Sequence, residues 1–155
     1  MTRVAAALDV RDLRRADLTE VIRIDGLHTG RRKPAYWRGT FDSFMKKGSG
    51  GRIGLAAQAQ GRVIGYLLGE VRAFEFGSEP CGWIFAVGVD PGQLRAGVAT
   101  GLMEEACRRF RRAGVSTVRT MVRRDDVPVL SFFRASRFAG GTFVQLERGL
   151  EEAGR

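Results

Sequence analysis

Between Asp90 and Ala99 the chain reads Asp-Pro-Gly-Gln-Leu-Arg-Ala-Gly-Val-Ala and then passes into a strongly periodic apolar pattern. A turn that feeds small residues into a helix start leaves several backbone N–H groups unpaired and pointing one way. The helix dipole adds to their pull on an anion, so such a turn can hold a pyrophosphate. Gly92 and Gly97 alone would serve equally well for a plain strand-to-helix turn; the apolar strand before them and the amphipathic helix after them favour the anion site. Other reactive constellations are few. His28 is the single histidine, so a His-based triad could draw only on that residue and a multi-His metal site is excluded. Cys81 and Cys107 are too few for a disulfide framework and read as reduced core thiols, with no metal expected.

The elements that would position the turn follow from periodicity. Leu8 and Val10 read as a short first strand. Asp17 to Glu20 has capping-box spacing, followed by Leu18, Val21, Ile22 and Asp25 at helical intervals; Gly26 and Gly30 close that helix and leave His28 as a loop residue. Tyr36, Trp37, Phe41, Phe44 and Met45 suit a second helix within residues 31–47, and their aromatic character reads as core. Ile53–Ala59 and Val63–Phe76 form a hairpin whose second arm is bulged at Gly65 or Gly69. Trp83–Val89 is nearly all apolar, as a strand covered on both faces must be. Beyond the turn, Ala99, Leu102, Met103, Ala106, Cys107 and Phe110 mark one face of a helix. Glu104 and Glu105 stand four residues ahead of Arg108 and Arg109 on the other, and Gly114 ends it. Val115–Val122 then reads as a strand, Asp126–Ala135 as a short helix and Phe143–Glu147 as a closing strand.

A chain of 155 residues with 44% apolar content fits a single packed domain over 1–155. The net charge of +9 comes from 26 Lys and Arg against 17 Asp and Glu, and only Lys33, Lys46 and Lys47 are lysines. That balance suits an anionic partner such as a phosphorylated cofactor; nucleic acid ranks behind it, because Arg usage can also reflect genome composition. The first ten residues lack a signal-peptide layout and no run approaches a bilayer span, so a cytoplasmic protein without membrane contact is expected.

Val89-Asp90-Pro91 followed by Gly97-Val98-Ala99 resembles the GNAT acyltransferase superfamily, whose pattern is Val-x-Pro, then Gln or Arg, two residues, Gly-x-Gly or Gly-x-Ala, then a helix. Asp126 to Phe138 is similar to the same family's Asn-x-x-Ala-x-x-Leu-Tyr-x-x-x-Gly-Phe helix. Four departures stand out. Leu94 occupies the Gln/Arg position, Asp126 replaces Asn, Arg137 replaces Gly, and Phe133 stands where many members place a proton-donating Tyr.

The resemblance implies a mixed α/β fold: a twisted, mostly antiparallel sheet of six or seven strands, helices on both faces, and a splay between Trp83–Val89 and Val115–Val122. It implies transfer of an acetyl group from acetyl-CoA to a primary amine, by direct attack in a ternary complex. Cofactor contacts would come from Val87, Gly88, Val89, Leu94, Arg95, Ala96, Gly97, Val98, Ala99, Thr100, Asp126, Phe133 and Arg134, with the Val87 or Gly88 N–H polarising the thioester carbonyl. Arg137 could add to the adenosine 3′-phosphate contact. The family often carries a Glu on the central strand; here that position is Phe85, so the base is sought among Glu70, Glu75 and Glu79, with Glu70 first. Its alternative is a surface pair with Arg72 or Arg52. Tyr66 is the candidate proton donor, with Ser131 behind it; a strand tyrosine can equally be packing. The second functional reading is an acyl-CoA sensor that has lost turnover, and a homodimer is compatible with either.

Overall fold

The computed structural model describes residues 8–46, 50–93 and 97–151. It divides into two compact units, Met1–Met121 and Val122–Arg155.

In the first unit the strands are β1 (Asp9–Asp12), β2 (Arg52–Ala59), β3 (Arg62–Arg72), β4 (Cys81–Val89) and β5 (Val118–Arg119), with helices α1 (Leu18–Thr29), α2 (Pro34–Phe44) and α3 (Val98–Arg112). The sheet runs β1 to β5 in sequence order. The first four strands pair antiparallel and β5 joins β4 in parallel. The mixed, mostly antiparallel architecture is therefore the one expected, with five strands among the described residues instead of six or seven.

Strand alternation sorts the core into two layers. Tyr66 and Leu68 of β3 meet Val21, Ile22 and Ile24 of α1 and Trp37 and Phe41 of α2. On the opposite face α3 buries Val98, Leu102, Met103, Ala106 and Phe110. Phe110 lies so close to the sheet that a Cβ on Gly82 would stand 2.7 Å from its ring, and one on Gly69 2.9 Å away. The two glycines thus form a seat for Phe110 that no larger residue could provide. Cys107 is partly buried on this helix, and burial pushes its thiol pKa up.

Several local expectations change. Asp17 does not cap α1 through its side chain. Its buried carboxylate accepts instead from both terminal nitrogens of Arg11 (2.8 and 3.0 Å) and from the Arg14 N–H (2.7 Å), because a guanidinium fork satisfies a desolvated carboxylate better than one amide. His28 is no loop residue: it lies in the last turn of α1, which runs to Thr29 and ends on Gly30 at φ 72°. β3 has a register shift against each neighbour, one within the expected hairpin with β2 and one against β4. One leaves Ile64, next to Gly65, as the extra residue of β3; at the other, beside Gly69, the extra residue belongs to β4 and is Phe85. β3 stops at Arg72, short of Phe76, because Phe74 and Phe76 take positive φ (63° and 50°) in a turn.

β5 is shorter than the expected Val115–Val122. Its ladder holds only Gly82 opposite Val118 and Trp83 opposite Arg119. A bond from Thr120 Oγ1 to the Ile84 carbonyl (2.9 Å) extends the contact by one side chain. β4 continues to Val89 beyond that ladder, and this is the splay.

The second unit contains α4 (Val127–Ala135). The expected closing strand Phe143–Glu147 does not form; Val144 is 80% and Leu146 87% exposed. Alternating apolar residues make a strand only when a neighbour accepts their backbone bonds.

Candidate active site

The turn expected to bind phosphate begins where β4 ends. Asp90 N donates to the Ile64 carbonyl (2.8 Å), which ties the strand exit to β3. The Asp90 carboxylate then accepts from the Gly92 N–H (3.0 Å) through one oxygen and from Arg23 Nη2 (2.8 Å) through the other. These two bonds, the Arg23 one first, hold the Asp90 carboxyl below its usual range. His28 Nε2 lies 2.5 Å from the Val89 carbonyl oxygen. A carbonyl can only accept, so Nε2 carries the proton. Two residues of α1 therefore grip the exit of β4 from 61 and 67 positions away, and no local sequence pattern connects them to it.

On the far side of the turn, Gly97 is the N-cap of α3 at φ 69°, a left-handed conformation that glycine takes freely. It supplies no side-chain cap, and the first turn of α3 holds no acid. Among the described residues, no side chain caps the N–H groups of Val98, Ala99 and Thr100. Val98 is buried under the sheet and Thr100 is exposed. Leu94, Arg95 and Ala96 lie outside the described residues.

Along β4, the bond from Asp90 N fixes the alternation of the antiparallel ladder: the Gly88 N–H faces β3 and the Val87 N–H faces the other way, where the β5 ladder has already ended. Of the two amides expected to polarise a carbonyl, Val87 is the one directed into the splay. Gly88 has a different task. Tyr66, 3% exposed, packs its ring against Trp37 (centroids 5.4 Å apart) and comes so close to β4 that a Cβ on Gly88 would lie 2.6 Å from its hydroxyl. Burial, with the nearby Asp25 charge, pushes the phenol pKa far up, so Tyr66 stays protonated at neutral pH. Asp25 itself is buried and satisfied by Trp37 Nε1 and Lys33 Nζ, each at 3.0 Å.

The Phe85 bulge opens a second feature. Ala86 packs on the α1–α2 cluster and Phe85 meets Phe44 of α2 (centroids 5.8 Å apart), so two successive β4 side chains reach the same face. Between α2 and the strands lies an open groove of ≈ 580 Å³ bounded by Tyr36, Gly39, Phe44, Glu70, Arg72 and Phe85. Glu70 accepts from Arg72 Nε at 3.2 Å, and the Arg72 guanidinium covers the Trp83 ring at 4.8 Å. Arg52 turns instead to the Ser43 carbonyl and the Phe44 ring. Glu70 is thus both in a groove and in the surface pair foreseen as its alternative. Glu75 lies 3.9 Å from the same arginine. Tyr36 and Phe44, read from sequence as core, are walls of this groove; their helical spacing gave no hint of which side a cleft would take.

In the second unit, Asp126 caps α4 by accepting from the Val129 N–H (3.3 Å). The helix closes with bonds from Arg137 N to the Arg134 carbonyl (3.0 Å) and from Phe138 N to the Phe133 carbonyl (2.9 Å). This is a Schellman closure, completed by Phe133 on Phe138 (centroids 5.1 Å apart). Arg137 holds the left-handed position at φ 69°, Phe133 is buried and Arg134 exposed. Among the described residues there is no cluster of three His, Cys, Asp or Glu suited to a metal, and no helix long and apolar enough to cross a membrane.

An uncapped helix start after an apolar strand, beside a strand splay, is the arrangement the sequence motifs imply, and the family model described as Acetyltransferase (GNAT) family matches residues 9–138. The chain belongs to the GNAT family. Mycothiol acetyltransferase of Saccharomonospora viridis is 32% identical over 87 residues, which is 54% of this chain and 28% of that protein, so the match spans under a third of the relative's length. The fold is shared with aminoglycoside N-acetyltransferase AAC(6')-Iy in complex with CoA, at TM-score 0.81 and 14% identity, covering 97% of this chain and 99% of the other. It is also shared with an aminoglycoside acetyltransferase from an uncultured soil metagenomic sample in complex with sisomicin, at TM-score 0.73 and 17% identity, covering 93% and 97%. Within this GNAT chain the glycine of the family's Gly-Phe helix ending is Arg137, and the backbone keeps the glycine-type conformation regardless.

Proposed function

We propose that this GNAT protein transfers an acetyl group from acetyl-CoA to a primary amine. The amine nitrogen attacks the thioester carbonyl carbon, the C–N bond forms, the C–S bond breaks, and CoA leaves as the thiolate. Starting from the ammonium form, the nitrogen loses one proton before attack and a second as the amide forms, and one proton reaches the departing sulfur. The observation that carries the reading is the pairing of an open strand edge at Val87 with an uncapped α3 start at the end of the same strand.

Val87, beyond the end of the β5 ladder and short of the Val89 carbonyl that His28 occupies, offers the edge against which pantetheine can lie, and the Val98, Ala99 and Thr100 amides receive the pyrophosphate. The Val87 N–H polarises the thioester carbonyl as negative charge develops on its oxygen. Glu70, in the groove on the α2 side, takes the amine proton; a lysine-like amine of pKa ~10.4 must lose it before attack. Tyr66 is the phenol closest to β4, but the burial that raises its pKa makes it a weak acid, so the departing thiolate takes its proton from solvent. Acetyl-CoA with a panel of amines should release free thiol, and acetyl-CoA alone should raise the Tm. Neither effect appearing would remove the proposal.

A second reading draws on Phe85 and Phe133. Phe85 occupies the bulge and Phe133 closes α4, so each has a structural task in place of proton transfer. Acetyl-CoA binding without thiol release from any amine would favour a sensor.

A further inference from the structure

Resting on the transfer reading above, the groove between α2 and the β3–β4 strands narrows the acceptor class. Its walls are aromatic: Phe85 is 36% exposed at the bulge and Tyr36 53% exposed on α2, with Phe44 between helix and strand. Large aromatic faces left in contact with water are stabilised by a flat apolar partner. Gly39 leaves open space on the helix wall, since nothing stands within 4 Å of where its Cβ would be.

The charge at the groove is nearly balanced. Among the described lining residues Glu70 is the single carboxylate, and it is already bonded to Arg72, while Arg52 adds a cation over Phe44. One amine can be received by Glu70. A second or third ammonium would meet the Arg72 and Arg52 guanidinium groups, with Glu75, outside the lining and 3.9 Å from Arg72, as a further carboxylate there, and like charges are repelled. We infer that the acceptor is an arylalkylamine-like monoamine, a primary amine on a flat apolar body, and not a polycationic amine such as an aminoglycoside.

The test compares phenylethylamine with sisomicin on the full chain saturated with acetyl-CoA, reading thiol release, and on the CoA-saturated chain, reading binding by calorimetry. Phenylethylamine is expected to show kcat/KM at least about tenfold above sisomicin, a gap of about 1.4 kcal/mol. G39L, which extends a side chain into the open space, is expected to raise the phenylethylamine KM about tenfold while leaving the acetyl-CoA KM unchanged. Sisomicin turning over as well as phenylethylamine overturns the inference and leaves the transfer reading standing. Phenylethylamine binding to wild type but not to G39L, without thiol release, supports the groove assignment and overturns transfer. Equal binding of phenylethylamine to wild type and G39L overturns the groove assignment.

Discussion

Glu70 holds two positions at once, a groove wall and one end of an ion pair with Arg72, and mutation separates them. Exposed pairs contribute about 0.2–1 kcal/mol to stability, whereas a general base contributes on the order of 10²–10⁴ in rate. E70Q should therefore leave the Tm within a degree or two and lower kcat at least about 100-fold, with the acetyl-CoA KM unchanged; steady-state kinetics with thiol detection reads both. Asp17 shows the opposite balance. Burial pushes its pKa up, but the Arg11 fork and the Arg14 N–H outweigh this and hold it below the usual carboxylate range. A lowered folded pKa means stability that is complete above ~pH 4, the unfolded value, and lost as pH falls through the folded one. Asp90 follows the same sign. Denaturant midpoints should be flat from pH 7 to ~5 and drop below ~4. D17A, which strands Arg11 at 15% side-chain exposure, should cost about 3 kcal/mol at pH 7 and flatten part of that acid slope.

At the level of elements, α4 ends in a geometry made for glycine with arginine in place. A non-glycine residue in the left-handed region costs about 1 kcal/mol, so R137G should stabilise the chain by roughly that amount in urea unfolding. The same comparison shows what sequence could and could not disclose. α3 was legible almost to the residue, because Leu102, Met103, Ala106 and Phe110 repeat at helical intervals and all are buried. The motif flanks were legible too, since Val89-Asp90-Pro91 and Gly97 are local. β5 and Phe143–Glu147 were not, because a strand exists only through its partner, and alternation does not say whether one is there. His28 and Arg23 were missed for a related reason: their role depends on α1 lying across the end of β4. The groove was hidden by the Phe85 bulge, a register event that no single strand's sequence announces.

For the whole molecule, the family settles the fold, and the groove beside α2 is where the proposed acceptor chemistry would differ from one member to another. If α3 receives the pyrophosphate as proposed, the seat that Gly69 and Gly82 make for Phe110 fixes where that helix start points. Val98 and Phe110 stand twelve residues apart on one rigid rod, ~18 Å at 1.5 Å per residue. A pivot of about 5° at the Phe110 end swings the opposite tip by about 1.5 Å, half the length of a hydrogen bond. The methyl carbon of G82A would sit 2.7 Å from the Phe110 ring, so something must shift, and a pivot of α3 is the expected response. Overpacking of this kind costs about 1–3 kcal/mol of fold stability. The sharper loss should be in CoA affinity, measured by calorimetry on the folded variant, so that a change at the tail of the lever is read as misaim at its head.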